Sequence, residues 1–148
     1  MKAIIQRVKC SSVIVDEKII SEIKNGLLVF LGIEKNDIQN NAIILANKII
    51  NLRIFSDSMD KMNLSVKDIS GEIMVISQFT LCTDTTKSGN RPSFSNAEFP
   101  EKAEQIYKFF IDELKKIYIR DKIKSGLFAA YMNITLINDG PVTILLEK

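Results

Sequence analysis

The stretch Leu27-Leu28-Val29-Phe30-Leu31-Gly32-Ile33 carries no polar side chain at any position. A half-exposed strand alternates apolar and polar residues, so an unbroken apolar run fits a strand covered on both faces. A second buried run, Ile73-Met74-Val75-Ile76, leads into Ser77-Gln78-Phe79. Two doubly covered strands need material on each side, and helices are indicated at two places. Asp37 is read as an N-cap, and after it Ile38, Ala42, Leu45, Ile49 and Leu52 recur at helical spacing and make one apolar stripe. A second helix is predicted to begin between Asn96 and Pro100, where the proline suits the first turn, with Ala103, Ile106, Tyr107, Phe110, Leu114 and Ile117 facing inward.

The rest reads as strands and turns. Residues 2–9 and 11–16 are rich in β-branched side chains and are predicted as two strands, with Asp16-Glu17-Lys18 turning into a third over 19–23. Asn25-Gly26 is a strong turn signal ahead of the first apolar run. Arg53-Ile54-Phe55 reads as a short strand followed by a polar turn. Two closing strands are expected around residues 132–136 and 142–146, separated at Asn138-Asp139-Gly140-Pro141. No linker, repeat or low-complexity tract interrupts the 148 residues. The expectation is one domain over 1–148, an α/β fold with mostly antiparallel sheet and two long helices.

Composition narrows the chemistry. The chain contains no histidine, which removes Ser-His-Asp and Cys-His relays and most zinc sites. Catalysis must then come from other side chains, the backbone, a cofactor or the substrate. Cys10 and Cys82 are too few for a four-cysteine metal site; they read either as free thiols in a reducing cytoplasm or as one disulfide. The apolar start of the chain is broken by charge within a few residues, so neither a signal peptide nor a membrane span is expected. With 20 basic against 18 acidic residues the net charge is only +2, so any contact with nucleic acid should be local, at one end of the partner.

Two polar segments stand out. In Ser77-Gln78-Phe79-Thr80-Leu81 a buried strand ends in hydroxyl and amide groups. That is either an ordinary strand end or a rigid mount for polar groups and backbone N–H donors at a reaction site. Asn138-Asp139-Gly140-Pro141-Val142-Thr143 is either a hairpin turn or a rigid pair of carbonyl acceptors presented by a Gly-Pro dipeptide.

Together these two segments resemble the signature motifs of the D-aminoacyl-tRNA deacylase family. The resemblance extends along nearly the whole chain, through Gln6-Arg7-Val8, Gly26-Leu27-Leu28, Lys61-Met62-Asn63-Leu64-Ser65 and Arg91-Pro92-Ser93-Phe94. It implies a compact β/β/α domain that forms a homodimer and hydrolyses the ester joining a D-amino acid to the terminal adenosine of tRNA, in the cytoplasm, with no metal and no other cofactor. It implies that Gly140-Pro141 is a cis dipeptide reaching into the active site of the opposite subunit. There its carbonyls would exclude an L side chain while glycine, lacking one, would escape the filter. The family's assistance by the terminal ribose hydroxyl suits a chain without histidine. On this basis the oxyanion is assigned to backbone N–H groups of Phe79 and Thr80, pocket shaping to Ser77 and Gln78, and support of the Gly-Pro loop to Arg7, Asn138 and Thr143. Thr80 as a covalent nucleophile is the rival, weakened by the lack of an evident base.

Lys87 and Arg91, on the polar loop after the signature strand, are candidates for the tRNA acceptor end, ahead of the basic stretch from Lys115 to Lys124. One stretch departs from the family: Ala129 and Tyr131 stand where glycine and an acidic residue are usual, beside Met132 as a candidate pocket wall. Two other readings stay open. One is an RNA-binding module of this fold without turnover. The other is a relative with altered chirality, against which the intact Gly140-Pro141 argues.

Overall fold

The computed structural model describes every residue except Thr85, Lys87 and Ser88. β1 (Lys2–Val15) turns through Asp16 and Glu17, both in the left-handed region, into β2 (Lys18–Ile23), and β3 (Gly26–Gly32) follows. After α1 (Gln39–Ile50) come a small hairpin of β4 (Phe55–Ser56) and β5 (Met62–Leu64), then β6 (Glu72–Ser77). A single 3-10 turn over Phe79–Cys82 leads on to α2 (Pro100–Ile117), and β7 (Ile123–Ser125) and β8 (Asn133–Glu147) close the chain.

The main sheet is mixed. β1 runs antiparallel to β2, β3 and β8, whereas β3, β6 and β7 are parallel neighbours. The apolar runs of β3 and β6 are explained by two cores, one on each face. Leu27, Val29 and Leu31 of β3 and Ile73 and Val75 of β6 pack toward α1 and α2. Leu28 of β3 and Met74 and Ile76 of β6 pack the other way, against Val8, Val13 and Val15 of β1 and Ile23 of β2. Each fully buried Leu or Ile side chain contributes about 1.5–3 kcal/mol. Both helices meet the sheet with the predicted faces, Ala42, Leu45 and Ile49 on α1 and Ala103, Ile106, Tyr107, Phe110 and Leu114 on α2.

Four sequence expectations change. The strands expected at 2–9 and 11–16 are one strand, which continues through the exposed pair Lys9-Cys10 while its register against β8 shifts there. The closing strands are likewise one, with the Gly-Pro segment inside it. The strand expected at Arg53-Ile54-Phe55 shrinks to Phe55–Ser56. Asp37 does not cap α1: Ile38 is the N-cap and no side chain caps the helix there. Instead the buried Asp37 carboxylate accepts from the Met1 amine at 2.8 Å, the Glu34 N–H at 2.7 Å and the Asn41 amide at 2.9 Å. A charged partner outbids a helix terminus for a carboxylate. Ile38, freed from the stripe, is exposed.

At Gly26 the backbone of β6 leaves no room for a side chain: a Cβ would stand 1.9 Å from the carbonyl oxygen of Glu72. That oxygen is backbone and cannot swing aside. Gly26→Ala should therefore cost about 3 kcal/mol, read as a lowered urea midpoint at unchanged slope. A midpoint equal to that of the parent protein would mean that the two strands are not seated this closely.

Candidate active site

A cleft of about 510 Å³ opens beyond the carboxyl ends of the parallel strands β3 and β6. Its size suits a small ligand, and in sheets with parallel strands ligands sit at such strand ends. Leu31, Ile33 and Ile76 form its floor, Ala97, Glu98, Pro100 and Ala103 one wall, and residues 128–132 with Ile134 the other. Ser77, Gln78 and Phe79 enter it from the end of β6. The 128–132 wall is braced from behind, where the Tyr107 ring packs on Phe128 at 5.6 Å and the Tyr107 hydroxyl donates to the Val75 carbonyl at 2.7 Å. Burial pushes that phenol far above its ordinary value, so it stays a neutral strut.

The end of β6 is pinned by hydrogen bonds. The Gln78 N–H donates to the Leu31 carbonyl at 2.8 Å, and the Leu81 N–H closes the 3-10 turn on the Gln78 carbonyl at 3.3 Å. The N–H groups of Phe79 and Thr80 precede that first bond, so they have no acceptor inside the turn. The Gln78 side-chain amide donates to the Thr80 hydroxyl oxygen at 2.6 Å. Whichever end of the amide faces the hydroxyl, an amide takes up no proton, and Thr80 gains no base from it.

Other titratable groups nearby are equally unsuited to proton transfer. Glu98 is held below the ordinary carboxylate range by the Lys102 ammonium at 2.6 Å and the Phe99 N–H at 2.9 Å. Cys82 lies under the turn with its thiol donating to the Ile33 carbonyl at 3.4 Å, and burial pushes it up to about 11. Neither cysteine is in a disulfide, and Cys10 is exposed. No group of three or more potential metal-binding side chains converges among the described residues.

The second predicted constellation is built elsewhere. Where β1 advances from Gln6 to Val8, its partner β8 runs from Thr143 back to Asn138, so the segment between bulges out of the ladder. Asn138 organises that bulge: its side-chain oxygen accepts from the Val142 N–H at 2.8 Å, and its amide reaches the Val142 carbonyl and the Thr143 hydroxyl, both at 3.3 Å. Gln6 donates to the same hydroxyl at 3.2 Å. Arg7 lies beneath, with Nε donating to the Asp139 carbonyl at 2.9 Å and facing its carboxylate at 3.1 Å, and Nη1 donating to the Ile54 carbonyl at 2.5 Å. The Gly140-Pro141 peptide is cis, and Gly140 has φ +139. Both residues are exposed, and neither lines the cleft of its own chain.

The structure thus groups Ser77, Gln78, Phe79 and Met132 at the cleft, and Arg7, Asn138, Gly140, Pro141 and Thr143 at the bulge. Thr80 is exposed one step beyond the cleft. Arg91 is exposed, and Lys87 lies outside the described residues. Of the basic stretch, Lys115 and Lys116 lie in the last turn of α2, about 18 Å along the helix axis from the cleft-lining Ala103, while Arg120 and Lys122 lie in the turn that follows and Lys124 is on β7. The wall at the start of α2 was missed in the sequence. Its available signal was the ion pair Glu98 to Lys102, one helical turn apart around Pro100.

Comparison with known proteins bears on the whole chain. The family model described as D-Tyr-tRNA(Tyr) deacylase matches residues 4–147. The D-aminoacyl-tRNA deacylase of Thermosipho melanesiensis is 51% identical over 148 residues, covering 100% of this chain and 97% of that protein. The one from Thermodesulfovibrio yellowstonii is 52% identical over 147 residues, covering 99% of each. Among solved structures, a c-Myc DNA unwinding element binding protein superposes with TM-score 0.95 at 44% identity, over 100% of this chain and 99% of that one. A probable eukaryotic D-amino acid tRNA deacylase shares the fold, with TM-score 0.83 at 12% identity over 98% and 97%.

The two thiols offer a direct check on this geometry. At pH 7.5 a maleimide should label Cys10 readily and Cys82 only after unfolding in urea, since the neutral buried thiol is a poor nucleophile. The Cys82 value is raised on folding, so its stabilising contribution is whole below about pH 8.5 and is lost as pH climbs toward 11. Equal labelling of both cysteines in the folded protein would contradict the packing beneath the turn.

Proposed function

The chain belongs to the D-Tyr-tRNA(Tyr) deacylase family, and on that premise we propose that it hydrolyses the ester of D-aminoacyl-tRNA, releasing the free D-amino acid and tRNA. The observation that carries the reading beyond family membership is the end of β6, where the Phe79 and Thr80 N–H groups lie ahead of the turn's first bond at the edge of an apolar cleft. The terminal adenosine occupies the cleft. Water adds to the ester carbonyl carbon, and the carbonyl oxygen becomes an oxyanion that accepts from these two N–H groups. The carbon–oxygen bond to the ribose then breaks as the neighbouring ribose hydroxyl passes its proton to the departing oxygen and takes up the proton that the attacking water gives up. Fixed donors of this kind can be worth on the order of 10²–10³ in rate each. Ser77 and Gln78 shape the cleft.

Chirality is read by a second copy of the chain. The Gly140-Pro141 bulge is exposed and remote from its own cleft, so it serves the cleft of a partner in a homodimer of single-domain subunits, with Arg7, Asn138 and Thr143 holding its shape. Its carbonyls press where an L side chain would project, and a D residue turns only hydrogen that way. Glycyl-tRNA passes the same filter. The setting is the cytoplasm, the acceptor end of tRNA is the partner, and Lys87 and Arg91 are the residues the sequence offers for contacting it. The reaction as written draws on no metal or other cofactor.

One observation favours a second reading, a nucleic-acid-binding module without turnover: a solved structure alike in fold at 44% identity bears a DNA-binding name. Incubation with D-Tyr-tRNA and L-Tyr-tRNA separates the two. Multiple turnovers of the D ester with the L ester spared support the deacylase, and a D ester that survives with bound protein supports the module.

Two variants probe the mechanism. Thr80→Ala should keep activity within about tenfold, since its N–H remains; complete loss in a folded protein would instead favour Thr80 as a covalent nucleophile. At Gly140 a Cβ would meet Val142 Cγ2 at 2.7 Å and Arg7 Nη2 at 3.1 Å, on a backbone with φ +139. Gly140→Ala should lower the ratio of D to L hydrolysis, or overall turnover, by tenfold or more at a stability cost of about 1–3 kcal/mol. A variant that only unfolds would reduce the bulge to a structural turn.

A further inference from the structure

We propose that Tyr131 is a stacking platform for the unpaired nucleotide that immediately precedes the terminal adenosine, an inference that rests on the tRNA-deacylase reading of the cleft. Tyr131 lines the cleft, yet it is 87% exposed, more than any other large hydrophobic residue among the described residues. Its backbone is anchored on both sides. Ala130 and Met132 pack against the second core, and the Ala130 N–H closes a turn on the Leu127 carbonyl at 3.3 Å, with Ala129 at φ 60. A ring on so firm a mount, held out in water at the mouth of a pocket, is placed to receive a flat partner.

The lining explains why that partner should be a base rather than a phosphate. No lysine or arginine is among the described residues that line the cleft, and its one charged group is the Glu98 carboxylate. That carboxylate is already engaged by Lys102 and the Phe99 N–H. A phosphate drawn inward would meet negative charge with no cation of the lining to receive it, so the backbone must run outside while base faces turn toward the protein. Once the terminal adenosine fills the cleft, the preceding nucleotide leaves through the mouth, where Tyr131 stands. Phe79, the other exposed ring of the lining, is braced edge-on by Phe94 at 5.1 Å and stands at the reacting end. Stacking on an aromatic ring tolerates any base and needs no partner charge.

The test compares the trinucleotide CCA with AMP as ligands of the parent protein, Tyr131→Phe and Tyr131→Ala. The parent should bind CCA about tenfold more tightly than AMP, Tyr131→Phe should keep that advantage, and Tyr131→Ala should lose most of it, with CCA affinity falling several-fold more than AMP affinity. With D-Tyr-tRNA, the Tyr131→Ala loss should fall on KM rather than kcat. Equal affinity of the parent for CCA and AMP would overturn the proposal. So would an unchanged CCA advantage in Tyr131→Ala, its loss in Tyr131→Phe, or a parallel fall in AMP binding. The binding arms need no turnover, so a parent protein that fails to cleave D-Tyr-tRNA would count against the deacylase reading while the stacking result is read independently.

Discussion

Both edges of β1 are paired, and the rest of the fold is arranged around that requirement. β8 follows one edge from Lys2 to Ile14, while the other edge is shared, first by β3 and then by β2. A strand held this way can serve two cores only by changing what it faces along its length. Ala3 and Ile5 join the helix-covered core, and Val8, Val13 and Val15 the second one. The change of allegiance falls between Gln6 and Cys10, where the ladder to β8 slips register twice. A slip leaves backbone unpaired, and unpaired backbone needs side-chain partners. Arg7 and Asn138 supply them, so the exposed Gly140-Pro141 bulge is a by-product of how β1 crosses from one core to the other.

Much of this was legible in the sequence because period and burial agree. The apolar runs of β3 and β6 read as doubly covered strands, and they are, since consecutive side chains enter different cores. The helix stripes at Ala42-Leu45-Ile49 and Ala103-Ile106-Phe110 read correctly for the same reason. The failures share a cause of their own. Lys9-Cys10 and Asn138-Asp139-Gly140-Pro141 are polar interruptions that look like chain reversals, yet a long-range ladder carries the strand through both. Asp37 reads locally as a helix cap, but its charged partner is the Met1 amine, three strands earlier in the chain. Local grammar cannot register a competitor that only the tertiary fold brings near.

The candidate site divides along the same line. Ser77-Gln78-Phe79-Thr80 stood out because an apolar strand ends there in polar groups, a pattern that by itself reads equally as an ordinary strand end; the first three line the cleft. The α2 wall did not, since Ala97, Glu98 and Pro100 reach the cleft only because α2 packs across the ends of β3 and β6. Tyr131 was visible as an irregularity in a motif, but its exposure at the cleft mouth is a fact of the turn that carries it.

On the deacylase reading, the lack of histidine changes what must be rigid. A side-chain base can be repositioned by a rotamer, whereas a peptide N–H moves only if its strand moves. The donors at Phe79 and Thr80 are therefore as well placed as β6 itself. That strand is tied to β3 by the Gln78–Leu31 bond, to its own turn by the Thr83 hydroxyl on the Thr80 carbonyl at 2.6 Å, and to the loop beyond β3 through Cys82. Behind it, Tyr107 ties the β6 backbone to α2 and braces the opposite wall. Preorganisation of this kind puts the cost of alignment into folding, so no side chain must be ordered at the moment of reaction. On the same reading Tyr107, a packing residue remote from the ester, bears on catalysis through the position of the end of β6, where its hydroxyl holds the Val75 carbonyl.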